Sequence, residues 1–167
     1  GGIVYVVKND GTNYPGWPKT VPNWIYAAPV VADISGDGEL DVIITEYGSS
    51  PTPAFYIYGY NNNGTMLNNF PIGPLYGQAN QITIADIDND MRFELIADQN
   101  VQVGDQGRYE AFNHDGTVLS GWPIEFSKNS SFQQPLLTDM NNDGILDIIG
   151  GSFEFGGATS TNLYAWN

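Results

Sequence analysis

The chain has 167 residues, 41% of them hydrophobic and 13% aromatic, which suffices for one packed globular domain and argues against a disordered chain. Its formal net charge is −14 with only five Lys plus Arg, which excludes a basic surface for nucleic acid or anionic lipid. The lack of cysteine rules out a disulfide framework, a zinc–cysteine site and a thiol nucleophile, and no run of about eighteen apolar residues is available to insert into a membrane.

Twenty glycines and ten prolines, without a sustained helical period, predict many short strands joined by turns. Gly1-Gly2-Ile3-Val4 is not a signal peptide, so the chain reads as mature or excised. Residues 3–18 carry a turn, Asn9-Asp10-Gly11-Thr12, and then Gly16-Trp17-Pro18, where proline ends an outer strand. Residues 28–71 begin with the apolar run Pro29-Val30-Val31-Ala32 and continue through an acidic loop, Asp33–Asp41, to Val42-Ile43-Ile44-Thr45. A third strand at Tyr56–Tyr60, a second turn at Asn62-Asn63-Gly64-Thr65 and then Asn69-Phe70-Pro71 complete the unit. Residues 80–123 repeat this order, with a loop at Asp86–Glu94, a turn at His114-Asp115-Gly116-Thr117 and Gly121-Trp122-Pro123. Residues 134–167 repeat it as far as a third strand at Leu163–Asn167, after a loop at Asp139–Asp147.

The period is strict: 86 − 33 and 139 − 86 both give 53 residues. Runs of four or five apolar, often β-branched residues bounded by turn residues predict buried strands, and the Gly of each turn predicts a two-residue hairpin. Four antiparallel strands in about 50 residues, repeated in tandem, predict β-propeller blades: about three repeats, the first and last incomplete. Such an arc has two open sheet edges, so the expectation is a segment of a larger propeller, with oligomer or filament formation through inter-chain blade completion as the alternative.

Each acidic loop sets side-chain oxygens at positions one, three, five and nine. Calcium takes about six to eight oxygens at roughly 2.3–2.6 Å, and a tight loop supplies them by pointing alternate residues inward. The predicted ligands are Asp33, Ser35, Asp37 and Asp41; Asp86, Asp88, Asp90 and Glu94; and Asp139, Asn141, Asp143 and Asp147. Position seven, Glu39, Arg92 or Ile145, is expected to contribute only its backbone carbonyl. Up to three Ca2+ ions are expected, and they would bring −14 to −8. Loop two has Met91 where the other loops have glycine at position six, and the longer Glu94 at nine, so strain or a different turn and the least secure cation site are expected there. EF-hands differ, needing helices and a glutamate at position twelve, here Ile44, Ala97 or Gly150.

These loops, the Pro-Val-Val-Ala-Asp run at 29–33 and the Asp-Gly-Thr…Gly-Trp-Pro hairpins resemble the FG-GAP/VCBS repeats of integrin alpha-subunit propellers and of many microbial surface proteins. The resemblance covers essentially the whole chain. It implies a calcium-binding propeller, an extracellular or cell-surface location, and an adhesion or binding scaffold that meets its partners on the face opposite the calcium loops. Calcium loops of low affinity, about 10⁻⁴–10⁻³ M, suit the same location. On that face the loops carry Trp24, Tyr26, Glu46, Tyr47, Tyr76, Phe153 and Phe155, side chains suited to stacking on carbohydrate or gripping a protein, or to packing between blades. No catalytic residues are expected: the single histidine, His114, occupies a turn position filled elsewhere by asparagine and reads as solvated, and no nucleophile motif appears. Polysaccharide lyases that use this propeller class are the minor alternative. Asn63-Gly64-Thr65 and Asn129-Ser130-Ser131 fit the N-glycosylation pattern.

Overall fold

The computed structural model describes residues 1–47, 55–101, 106–126, 129–130, 134–153 and 162–166. These residues form strands and no helix, in four separate antiparallel sheets, none closed into a barrel. The first sheet joins β1 (Gly2–Val4) to β2 (Lys19–Val21); the second runs β3 (Val30–Ala32), β4 (Asp41–Thr45), β5 (Ile57–Tyr60). The third has four strands in chain order: β6 (Gln78–Ala85), β7 (Glu94–Val101), β8 (Gln106–Phe112) and β9 (Ile124–Phe126). In the fourth, β12 (Asp147–Phe153) pairs with β10 (Asn129–Ser130), β11 (Leu136–Thr138) and β13 (Asn162–Trp166). The second sheet has only a remnant of a fourth strand, the two hydrogen bonds exchanged by Ile57 and Ile72.

The apolar runs are continuous because the middle sheets are covered on both faces. Alternate residues of β4 point opposite ways. Val42 and Ile44 pack with Val4, Trp17, Val21, Tyr58 and Tyr60, whereas Ile43 joins Ile57, Ile82, Leu95 and Ala97 in a core shared with the third sheet. β7 repeats the division: Leu95 and Ala97 face that core, and Ile96 turns to Tyr109, Ala111, Leu137 and Trp166, toward the fourth sheet. Ile43, Leu95 and Ile96 are fully buried, and truncating any of them to alanine is expected to cost about 2–5 kcal/mol. Gly150 in β12 is needed for this stacking, because a Cβ there would collide with the Tyr109 ring.

The three hairpin turns are copies of one another, but they are not two-residue turns. Gly11, Gly64 and Gly116 donate to the carbonyls of Lys8, Asn61 and Asn113, while Lys8, Asn61 and Asn113 donate to the carbonyls of Thr12, Thr65 and Thr117. That is a three-residue loop with a left-handed glycine, at φ of 82°, 77° and 81°. The residue before each glycine holds the turn: Asp10, Asn63 and Asp115 each accept from both the backbone N–H and the hydroxyl of the threonine two residues on. Asn63 of the glycosylation pattern is thus a turn cap. The second and third turns also meet the preceding unit: a Cβ on Gly16 would collide with the Asn63 carbonyl, the Trp17 indole donates to the Asn62 carbonyl at 2.9 Å, and a Cβ on Gly116 would come within 3.1 Å of the Ile72 side chain.

Candidate functional site

The acidic loops bridge β3 to β4, β6 to β7 and β11 to β12, so all three lie at one end of their sheets. Each folds the same way. The carboxylate at position one accepts from the N–H groups of positions five and six: Asp33 from Asp37 and Gly38, Asp86 from Asp90 and Met91, Asp139 from Asp143 and Gly144. The carboxylate at position five accepts from position seven at 2.8 Å in every loop. Position nine opens the following strand and is buried, with Asp41 and Glu94 at 0% and Asp147 at 5% exposure. From there one oxygen accepts from the N–H of position two: Asp41 from Ile34 (2.9 Å), Glu94 from Ile87 (2.8 Å), Asp147 from Met140 (2.7 Å).

Two left-handed residues make the turn. Position four is Gly36, Asn89 or Asn142 at φ of 73°, 61° and 61°, and position six is Gly38, Met91 or Gly144 at 87°, 70° and 86°. Loop two is therefore turned like its neighbours, and of the two expected outcomes it shows the strain: Met91 carries the unfavourable conformation itself with its side chain 92% exposed. Asp86, Asp88 and Glu94 each bring a carboxylate oxygen to within 4.8 Å of the others, forming the one such acidic group among the described residues. Ser35 and Asn141 stand at position three in the other loops, so the carboxylate triad is particular to loop two. The longer Glu94 side chain still reaches the Ile87 N–H, as the aspartates do.

In the acidic loops, burial leaves two oxygens without partners. Asp41 Oδ1 and Glu94 Oε1 are shielded from solvent and accept no hydrogen bond, though a buried ionised carboxylate is costly unless paired or metal-bound. Burial pushes the Asp41 carboxyl above the usual range, against the hydrogen bonds from Ser35 and Ile34. Burial also raises Glu94, and the nearby charges of Asp88, Asp90 and Asp86 raise it further. A hard cation bound by position nine and by the half-buried position one satisfies both the orphan oxygen and the clustered charge, so this donor set fits calcium.

Position seven has a side-chain role that the spacing did not reveal. Glu39 accepts from Asn62 Nδ2 at 3.0 Å, tying loop one to the hairpin of its own unit. The Arg92 guanidinium lies over Gly36 of loop one, and Ile145 lines a groove with Trp122 and Trp166. His114 does sit at a hairpin turn, but it is half-buried with Nδ1 shielded, beside Asp37, Asn61 and Asn69 in a polar cleft of about 470 Å³. It is not a solvated turn residue, because the adjoining unit covers it.

The opposite end separates the predicted aromatic residues. Trp24 and Tyr47 exchange backbone hydrogen bonds at 3.1 and 2.5 Å, and the Tyr26 and Tyr47 rings lie 4.8 Å apart. Trp24 and Tyr26 are 57% and 75% exposed, so these residues form a surface aromatic group and are not interblade packing. Beneath it, Glu46 is 2% exposed; Oε2 accepts from the Asn23 N–H and the Tyr58 hydroxyl, and Oε1 has no partner. Burial, with the Glu46 charge beside it, pushes the Tyr58 hydroxyl well above its ordinary pKa. Tyr76 belongs elsewhere, under the Arg108 guanidinium at 4.1 Å. The Phe153 side chain and all of Phe155 lie outside the described residues.

A buried polar cluster beside Arg108 was missed from sequence. Asp98, at 0% exposure, accepts from the N–H groups of Asn80 (2.8 Å) and Gln81 (2.6 Å), where the register of β6 on β7 slips. Gln99 and Arg108 both donate to Glu110, at 2.5 and 3.0 Å. The available signal was the polar residues Gln78, Asn80, Gln81, Asp98, Gln99 and Asn100, in strands whose loop-side halves are largely apolar.

Comparison with known proteins agrees with this geometry over one period of the repeat. Residues 33–97, from the first aspartate of loop one to the strand after loop two, match the family model for the FG-GAP-like repeat. No curated protein and no solved structure matches the chain. Residues 33–97, with the acidic loops and strands they contain, are thus similar to an FG-GAP-like repeat.

Proposed function

We propose that the protein is a calcium-stapled propeller module of an extracellular or cell-surface protein, acting as a rigid scaffold for adhesion or binding. The observation that carries the reading is the buried, unpartnered oxygen at position nine of loops one and two, Asp41 Oδ1 and Glu94 Oε1. A carboxylate at the start of a buried strand, facing other carboxylates, calls for a cation. Asp33, Ser35, Asp37 and Asp41 would hold it in loop one, Asp86, Asp88, Asp90 and Glu94 in loop two, and Asp139, Asn141, Asp143 and Asp147 in loop three. The carbonyls of Glu39, Arg92 and Ile145 would complete the sets.

Calcium here ties two strands together and performs no chemistry on a substrate. The FG-GAP-like match supports a structural or adhesion module over an enzyme. Binding is proposed at the opposite end, where Trp24, Tyr26 and Tyr47 present ring faces above Glu46 to a carbohydrate or protein partner. Calcium titration by calorimetry tests the first part, with up to three ions bound by the wild type and one fewer by E94Q. Wild type that takes up no calcium would sink it. Glycan arrays and pull-downs in calcium test the second, W24A and Y47A being expected to lose binding at least tenfold with an unchanged melt.

A further inference from the structure

Among the three residues at position seven, Arg92 alone is a cation, in a chain with five Lys plus Arg in all. Its side chain leaves loop two and reaches loop one, so that a Cβ built on Gly36 would meet Nη1 at 3.5 Å and Cζ at 3.9 Å. Gly36 is the left-handed fourth residue of loop one, and its N–H donates to Asp33 at 2.7 Å. Loop one carries Asp33, Asp37, Glu39 and Asp41, and among the described residues none of these makes an ion pair. The guanidinium is thus a positive charge lying over the turn of loop one without being bonded to any one carboxylate, while its own backbone belongs to loop two.

We propose that Arg92 couples the two cation loops: it partly neutralises loop one when that loop is empty and weakens the affinity of loop one for calcium. The inference rests on the calcium reading above. A fixed unit charge a few ångströms from a divalent ion opposes its binding, and partial exposure at the surface lets salt screen the effect. Because the Arg92 carbonyl is proposed to face the ion of loop two, filling loop two also fixes the guanidinium over loop one. The two loops therefore fill with negative coupling, loop two first.

Calcium titration of the full chain at low salt, for wild type, R92Q and R92K, tests this. R92Q is expected to tighten one constant by about threefold to tenfold, R92K to stay within about twofold of wild type, and the gap between R92Q and wild type to close at high salt. In a D37N background, which weakens loop one, the R92Q gain should vanish, which assigns it to loop one. R92Q should also melt lower than wild type in chelator but not in saturating calcium; a merely structural contact would move both melts alike. Three calcium ions bound with constants unchanged by R92Q would overturn the coupling and leave the calcium reading standing. No calcium uptake by any variant would overturn both.

Discussion

The two ends of the sheets treat buried carboxylates differently. At the far end of the third sheet, Asp98 is answered by two backbone N–H groups and Glu110 by Gln99 and Arg108, all from within the protein. At the loop end, Asp41 and Glu94 are as deeply buried, yet each keeps one oxygen unpartnered and faces further carboxylates. At the far end the carboxylates Asp98 and Glu110 are answered from within the protein, although Asn100 Nδ2 and Oδ1 and Arg108 Nε are buried without partners; at the loop end the unanswered atoms are carboxylate oxygens, for which a cation is proposed. Glu46 departs from this division, for it lies at the far end yet keeps Oε1 free beneath an exposed aromatic group. A partner is proposed there because the aromatic group above Glu46 is exposed, with Trp24 at 57% and Tyr26 at 75%.

Substitutions separate the two behaviours. Removing the Asp98 side chain in D98A strands two buried N–H groups and is expected to cost about 2–4 kcal/mol, equally in calcium and in chelator by denaturant melts. E94Q should behave the opposite way. It forfeits the calcium stabilisation of loop two, about 2.7 kcal/mol with free calcium at a hundred times Kd, yet melts no lower than wild type in chelator, because a buried unpaired charge has been removed. If E94Q and D98A respond alike to chelator, the contrast fails.

The loops were legible in sequence because side-chain oxygens recur at positions one, three, five and nine, and the 53-residue step marks the repeat. Loop two shows the expected strain without a different turn, for a physical reason. Glycine is preferred at position six, but the N–H bonds to Asp86 and the Glu94 anchor hold Met91 in a left-handed conformation regardless. The hairpins were assigned one residue too short because an Asx-Gly pair suits both loop lengths, and the backbone bonds of Asn61 with Gly64 and Thr65 decide between them. The Asp98–Glu110 cluster was not legible, since its bonds depend on the register slip of β6 on β7, which no residue pattern marks.

Two smaller effects sharpen the comparison within the loop end. M91G relieves a left-handed methionine and should stabilise the chain by about 1 kcal/mol, with calcium or without, seen as a raised denaturation midpoint at constant slope. The hairpin caps offer a pH test. The Thr12 hydroxyl and N–H hold the Asp10 carboxyl below its ordinary value, and Thr117 does the same for Asp115. A depressed folded-state pKa contributes stability above the unfolded value, here near 3.8, and loses it as pH falls through the folded value. Both groups are exposed, so the effect is small. Acidification below that point should speed amide exchange at Thr12 and Thr117 but not at Thr65, whose cap is the uncharged Asn63. Equal acceleration at all three would contradict the cap assignment.

The central claim, that the acidic loops are staples completed by calcium, is tested most directly by thermal unfolding of the wild-type chain in millimolar calcium and in chelator. The account predicts a melting temperature higher in calcium by on the order of 5–10 °C for each filled site, with magnesium far less effective. Superimposable melts in calcium and chelator would contradict it.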